Sequence, residues 1–220
     1  MLIILTGESG TGKSSIQEQL NSKYNVRPIV TYTTRKQREN EVDGIDYHFV
    51  SLGDFGEMCD QGKFIEVAEY SNNRWYASAK EDVIDAIQDD TYWSSIVLTP
   101  PGLRKITTIS DFGLLSKNVF RVHVQATLNV RVTRYIARCG DNFDFAEFAE
   151  IYERVQRDFG MFLNIDEECD YVLYNNGDFT LNQMAKAVLQ AAKDHKEGNL
   201  EYMIATGRIK GTPKKIGPNR

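Results

Sequence analysis

Gly7-Glu8-Ser9-Gly10-Thr11-Gly12-Lys13-Ser14 brings three glycines, an ammonium group and a hydroxyl to fixed spacing near the start of the chain. The stretch fits G-x-x-x-x-G-K-[ST]. Glycines let the backbone curl until successive N–H groups point inward, forming a concave cradle for phosphate oxygens. A helix opening directly behind the loop adds partial positive charge. In such a cradle Lys13 reaches the β- and γ-phosphates of a nucleoside triphosphate, and the Ser14 hydroxyl ligates Mg²⁺. Gly7, Ser9, Gly10, Thr11, Gly12, Lys13, Ser14 and Ser15 are the expected ATP-binding residues, with Ser14 the metal ligand. The pattern carries weight only between a strand and a helix. The apolar run Leu2–Thr6 precedes it, and Ile16 and Leu20 follow at helical i, i+4 spacing.

A second constellation follows the next apolar segment, Pro28–Tyr32. Arg35, Arg38 and Tyr47 carry two guanidinium groups and a phenol, which together can clamp a terminal phosphate through charge-assisted hydrogen bonds. Taken alone, the two arginines read as surface charges paired with Glu39, Glu41 or Asp43. Glu66 lies in the apolar run Phe64–Tyr70, and strand alternation puts it on the same face as Phe64 and Ala68, so it points inward. A buried carboxylate needs donors. The N1–H and 2-amino edge of guanine would supply them, and so would a core tyrosine.

The elements that must hold these groups alternate strand and helix. Strands are expected at Leu2–Thr6, Pro28–Tyr32, Phe64–Tyr70, Arg74–Ala77, Ser95–Leu98, Val119–Val124 and Tyr171–Tyr174, with a further alternating stretch at Tyr47–Val50. Helices are expected at Lys13–Tyr24, Ser51–Cys59, Lys80–Gln88, Leu128–Cys139, after the Gly140–Asp144 break through Phe159, and at Leu181–His195. Pro100-Pro101 is expected to stop the strand before it. The order predicts a largely parallel α/β sheet, with Thr33–Ala79 inserted as a lobe of short strands.

Composition narrows the partners. The chain has 220 residues with 26% charged and 41% hydrophobic, enough to bury a core. Formal charge is −5, and residues 193–220 hold seven Lys/Arg against three acids, so residues 1–192 carry −9. So acidic a body argues against specific nucleic-acid binding, which relies on Lys/Arg contacts to phosphate. The Gly/Pro/Lys-rich end reads as a flexible basic tail. No run of about 18 apolar residues is present, so no membrane span is expected. Cys59, Cys139 and Cys169 are too scattered for a disulfide framework or zinc cluster, which suits a cytoplasmic location. Of the histidines, His48 reads as structural, His123 as core and His195 as part of the tail, leaving no obvious His/Asp pair.

Four stretches, GESGTGKSS, TYTTRKQRENEVDGIDYHFVS, GKFIEVAEY and NRWYAS, follow one another in the order and spacing of one family. The chain resembles guanylate kinase and its P-loop nucleoside-monophosphate kinase relatives, from about residue 2 to residue 192. The resemblance implies a P-loop NTPase-type parallel sheet flanked by helices, a mixed-strand lobe that binds the nucleoside monophosphate, and a short lid. On this division the core is residues 1–32 and 80–192, the lid about 138–150, the inserted lobe 33–79 and the tail 193–220. It further implies that Arg35, Arg38, Tyr47 and Tyr76 hold the acceptor phosphate, the last with one extra residue at the Asn72-Asn73 turn. Glu66 would read guanine, with Thr31 and Ser78 near the base. Lys13, Arg134, Arg138 and Arg154 would be catalytic, while Arg131 and Arg157 read as surface ion pairs. The implied substrates are ATP with Mg²⁺ and GMP or dGMP.

The chain departs from that family at Leu98-Thr99-Pro100-Pro101-Gly102, where relatives carry two aspartates. Three functions therefore stay open: a GMP/dGMP kinase, a kinase for another deoxynucleotide or a phosphosugar, and a non-catalytic module binding phosphoproteins. The sequence leaves oligomeric state undetermined.

Overall fold

The computed structural model describes residues 1–39, 41–71, 74–109, 112–140 and 143–199. Its main sheet has five parallel strands in the order β2-β7-β1-β8-β9. These are β1 (Leu2–Thr6), β2 (Arg27–Pro28), β7 (Ser94–Val97), β8 (Val119–Gln125) and β9 (Tyr171–Tyr174). A second sheet, ordered β4-β3-β6-β5, is built from β3 (Tyr32–Thr33), β4 (His48–Phe49), β5 (Phe64–Ser71) and β6 (Arg74–Ala79). The helices are α1 (Lys13–Tyr24), α2 (Leu52–Asp60), α3 (Lys80–Gln88), α4 (Pro100–Ile106), α5 (Phe112–Leu115), α6 (Leu128–Cys139), α7 (Phe145–Met161) and α8 (Leu181–Glu197).

Every residue of β1 is buried, as a central strand covered on both faces requires. Period-two alternation divides it between two cores. Ile3 and Leu5 pack with Ile16 and Leu20 of α1 and Met184 and Val188 of α8. Leu2 and Ile4 pack with Val83 of α3 and Leu103 and Ile106 of α4. The first loop thus leaves the end of a strand held from both sides.

One expectation needs correction and another needs extending. The segment Pro28–Tyr32 is not one strand: Arg27–Pro28 pairs with β7 in the main sheet, while Tyr32–Thr33 pairs with β4 and β6 in the other. Pro28 has no N–H to give, which suits the edge position of β2, and the last bond to the main sheet is Ile29 N–H to Ser95 O at 2.8 Å. Pro100-Pro101 does follow a strand, but it also opens α4, where proline costs nothing because the first helical N–H groups have no partner. Thr99 caps that helix, accepting the Gly102 N–H. The Asn72-Asn73 turn lies outside the described residues. So does the tail from Leu200 onward, whereas residues 193–197 belong to α8.

Candidate active site

The first loop folds as a phosphate cradle should. Gly7, Gly10 and Gly12 have φ of +147°, +83° and +94°. A Cβ at Gly7 would stand 2.2 Å from Val124 O, and one at Gly12 would stand 2.5 Å from Asn175 Nδ2, so both packing and φ demand glycine. Lys13 Nζ donates to Gly7 O at 2.7 Å and Glu8 O at 2.9 Å, folding the ammonium back across its own loop. Loss of hydration pulls its pKa down to about 8. Ser14 is exposed on the cleft wall. Among the described residues no group of three or more His, Cys, Asp or Glu could hold a metal ion. A lone hydroxyl still suits Mg²⁺, which keeps its waters and takes most other oxygens from phosphates.

Across from the cradle, β3, β5 and β6 present the second constellation. Arg35 is almost buried and makes a bidentate pair with Glu41, both bonds 2.8 Å, while its Nε donates to Tyr76 OH at 3.2 Å. The bond to Glu41 raises the Arg35 pKa and holds Glu41 down at about 2. Tyr47 completes this corner, its ring 5.8 Å from that of Tyr76 and 5.2 Å beneath the Arg35 guanidinium. Arg38 is exposed. Glu66 is 6% exposed and pairs across the strands with Ser78, itself buried. Thr99 donates its N–H to Glu66 Oε1 at 3.0 Å and its hydroxyl to the same oxygen. Burial pushes the Glu66 carboxyl up to about 7, against the pull of these two bonds.

One cleft of about 430 Å³ joins the two halves. Ser9, Gly10, Lys13 and Ser14 line it with Thr31, Arg35, Arg38, Tyr47, Glu66, Tyr76 and Ser78. Arg138 and Arg154 line it as well, from α6 and α7. Arg154 donates to Tyr135 OH at 2.9 Å and pairs with Glu150. Arg138 lies over the Tyr135 ring at 4.7 Å. Arg134 is turned elsewhere: it donates to Gly10 O at 3.2 Å and to Asn175 O and Oδ1 at 3.0 and 2.9 Å, bracing the cradle from behind.

The structure corrects two further expectations. Arg131 is not a surface residue. It is 7% exposed, donates to Ser9 O at 2.8 Å and pairs with buried Asp158 at 2.9 Å. A His/Asp pair also exists: His123 Nδ1 contacts Asp166 while Nε2 lies 3.5 Å from Glu8, beneath the first loop. Sequence reading missed Asp158, Asn175 and Asp166. The signals were faint but present, since Asp158 sits one turn past Arg154 and Arg131 one turn before Arg134.

Comparison with known proteins places this geometry. Residues 1–191 match the family model for guanylate kinase. A guanylate kinase from Enterococcus faecalis is 41% identical over 75 residues, covering 33% of this chain and 37% of its own. One from Rickettsia prowazekii is 45% identical over 84 residues, covering 38% and 42%. The matched stretch thus spans less than half the length of these relatives. The crystal structure of guanylate kinase from Anaplasma phagocytophilum superposes with TM-score 0.60 over 95% of this chain and 96% of that one, at 19% identity, a likeness of fold.

Proposed function

Because the chain belongs to the guanylate kinase family, we propose that it transfers the γ-phosphoryl group of ATP to GMP or dGMP. The observation that carries this reading is the single cleft lined by Lys13 of the cradle on one side and by Arg35, Tyr76 and Glu66 on the other. Donor and acceptor phosphates repel each other, so the site must neutralise charge where they meet. Lys13 has to leave its carbonyl partners for the triphosphate, and Arg35 has to share itself between Glu41 and the acceptor phosphate. Arg138 and Arg154 reach the cleft from the expected lid side and add positive charge on closure, which also excludes water. Arg134 acts from behind by holding Gly10 and Asn175 together. Ser14 would ligate Mg²⁺, which supplies charge neutralisation on the phosphates. No general base is required, because the acceptor is already an oxyanion.

On this reading residues 33–79 are the acceptor-binding lobe and 138–150 the lid. Three unbridged thiols suit a cytoplasmic enzyme. Among the described residues no helix is long and apolar enough to cross a membrane. The test is ADP release from ATP·Mg²⁺ with GMP, dGMP, AMP, dAMP, CMP, dCMP, UMP, dTMP and a phosphosugar. Turnover confined to guanine acceptors supports the reading. Turnover only with another acceptor, or none with any, overturns it.

A further inference from the structure

Glu66 is held in an unusual way. The segment after β7 carries no carboxylate, and Thr99 there gives both its N–H, at 3.0 Å, and its hydroxyl to one Glu66 oxygen, Oε1. A carboxylate oxygen offers two lone pairs, so both of those on Oε1 are engaged. The Thr99 hydroxyl oxygen in turn accepts the Gly102 N–H at 3.4 Å. Gly102 permits the approach, since a Cβ there would stand 2.3 Å from the Glu66 carboxyl carbon and 2.4 Å from Oε2. What Glu66 still has to offer a base in the cleft is Oε2.

Guanine presents N1–H and its 2-amino group as adjacent donors, and a carboxylate with both oxygens free can take one on each. With Oε1 occupied, Oε2 takes N1–H and the 2-amino group has no carboxylate of its own. Hypoxanthine has the same 6-oxo group and N1–H but no 2-amino group. Adenine has an acceptor at N1 and would face Oε2 lone pair to lone pair. A site that hydrogen-bonds a substrate N–H rejects the analogue lacking it by about 10⁴–10⁵-fold, because its own group is left unpaired. Glu66 makes no such demand at the 2-position.

We propose that Thr99 is a positioning residue that turns Glu66 so that one oxygen reads the base, and that the acceptors are 6-oxopurine nucleoside monophosphates, hypoxanthine as well as guanine. The proposal rests on the reading of the cleft as a purine monophosphate site.

The test uses the full chain. GMP, IMP and AMP are titrated calorimetrically without ATP, and kcat/KM is measured for each with ATP·Mg²⁺. IMP is expected within about tenfold of GMP in both, and AMP at least about 10³-fold below, scales set by whether a buried N–H partner is satisfied. GMP binding with IMP more than about a hundredfold weaker overturns the proposal and leaves the kinase reading standing. A chain that neither binds nor turns over GMP overturns the kinase reading beneath it. Thr99→Val removes the hydroxyl and frees a lone pair of Oε1 for the 2-amino group, so KM for GMP should fall relative to KM for IMP by about tenfold, the scale of one charge-assisted bond, with kcat unchanged. It should also move the acidic limb of kcat/KM to higher pH, because Glu66 loses a donor that favours its ionised form. Thr99→Ser should restore both. A Thr99→Val chain with an unchanged KM ratio and pH profile overturns the positioning role.

Discussion

Asp158, near the end of α7, accepts the backbone N–H of Ser9 in the first loop at 2.7 Å. The same oxygen takes an N–H from Arg131 at 2.9 Å, and Arg131 also donates to Ser9 O at 2.8 Å. Ser9 is therefore gripped on both its amide and its carbonyl by a buried ion pair that joins α6 to α7. The shape of the cradle depends on two helices, held together at Arg131 of α6 and Asp158 of α7.

Removing one partner of that pair leaves the other charged, buried and alone. Asp158→Ala is expected to cost about 3–5 kcal/mol, the scale for breaking a buried pair from one side. At about 2–4 °C per kcal/mol for a chain of this size, the melting temperature should fall by roughly 6 °C or more. Arg131→Met combined with Asp158→Ala should cost clearly less than the sum of the single changes. Additive costs in a denaturant-melt cycle would mean that the two side chains do not act as a pair.

Lys13 is the group whose role in transfer is most exposed to test. Lys13→Ala should lower kcat by about 10²–10³-fold or more, the range for losing one donor aimed at developing charge. The fold should survive, because the Lys13 ammonium bonds only to carbonyls of its own loop. Wild-type turnover by a folded Lys13→Ala chain would remove the phosphate role from the cradle.

Arg35 is held by Glu41 before any acceptor arrives, so its fork is already oriented. Arg35→Ala should therefore act mainly on acceptor binding, raising KM for GMP by at least tenfold while KM for ATP stays within about twofold. Loss of one charge-assisted contact accounts for that scale. Glu41→Gln should give a smaller rise in the same KM, since it loosens the fork without removing it. Equal damage to both substrates would show that Arg35 serves the lobe rather than the acceptor.

Much of this was legible in the chain. The cradle was readable because its chemistry is local: three glycines, a lysine and a serine within eight residues. Glu66 was readable because alternation with Val67 puts it on the inner side, although an irregularity between Phe64 and Glu66 leaves Ile65 buried as well. The partners that position these groups were not, because the Asp158 to Ser9 contact spans 149 residues and Thr99 to Glu66 spans 33. Arg131 illustrates the limit. A helical arginine near other arginines looks solvated until a distant carboxylate arrives to bury it. The split of Pro28–Tyr32 between two sheets was hidden for the same reason, as pairing partners rather than the segment itself decide where it goes.

Glu66 gives the site a pH dependence. Its carboxyl is pushed up to about 7 by burial, and because Thr99 already donates twice to Oε1 a proton would sit on Oε2, so on the proposed reading it is the ionised form that accepts from N1–H. The group is protonated in the free protein below that value, so kcat/KM for GMP should rise tenfold per unit on the acid side and level off above about pH 7. Glu66→Gln should abolish this limb and lower guanine selectivity more than ATP affinity. A Glu66→Gln profile with the limb intact would assign it to another group.

His123 makes the opposite statement about stability. It stands between Asp166, on the turn Ile165–Glu168, and Glu8 of the first loop, with Gln125 beside Asp166, the Phe162 ring stacked on it and Arg131 3.7 Å from Glu8. Burial alone would lower its pKa, but the contact with Asp166 and the nearby Glu8 carboxylate outweigh burial and raise it above 6.5. Glu8 and Asp166 are both held below their ordinary values, Asp166 chiefly by the bond to His123 and Glu8 by the same partner against its own burial. A raised histidine contributes stability that is complete below its unfolded pKa and is lost as pH climbs through the folded one; the depressed carboxylates contribute above their unfolded pKa values and lose that contribution as pH falls through the folded ones. The cluster therefore stabilises most between about pH 4.5 and 6.5, the interval between the unfolded values of Glu8 and His123. The stability advantage of wild type over His123→Asn, measured by urea unfolding, should be largest near pH 6 and shrink toward pH 8. An advantage that is flat or grows over that interval would mean the imidazole is buried neutral, and that Glu8 finds its counter-charge in Arg131 alone.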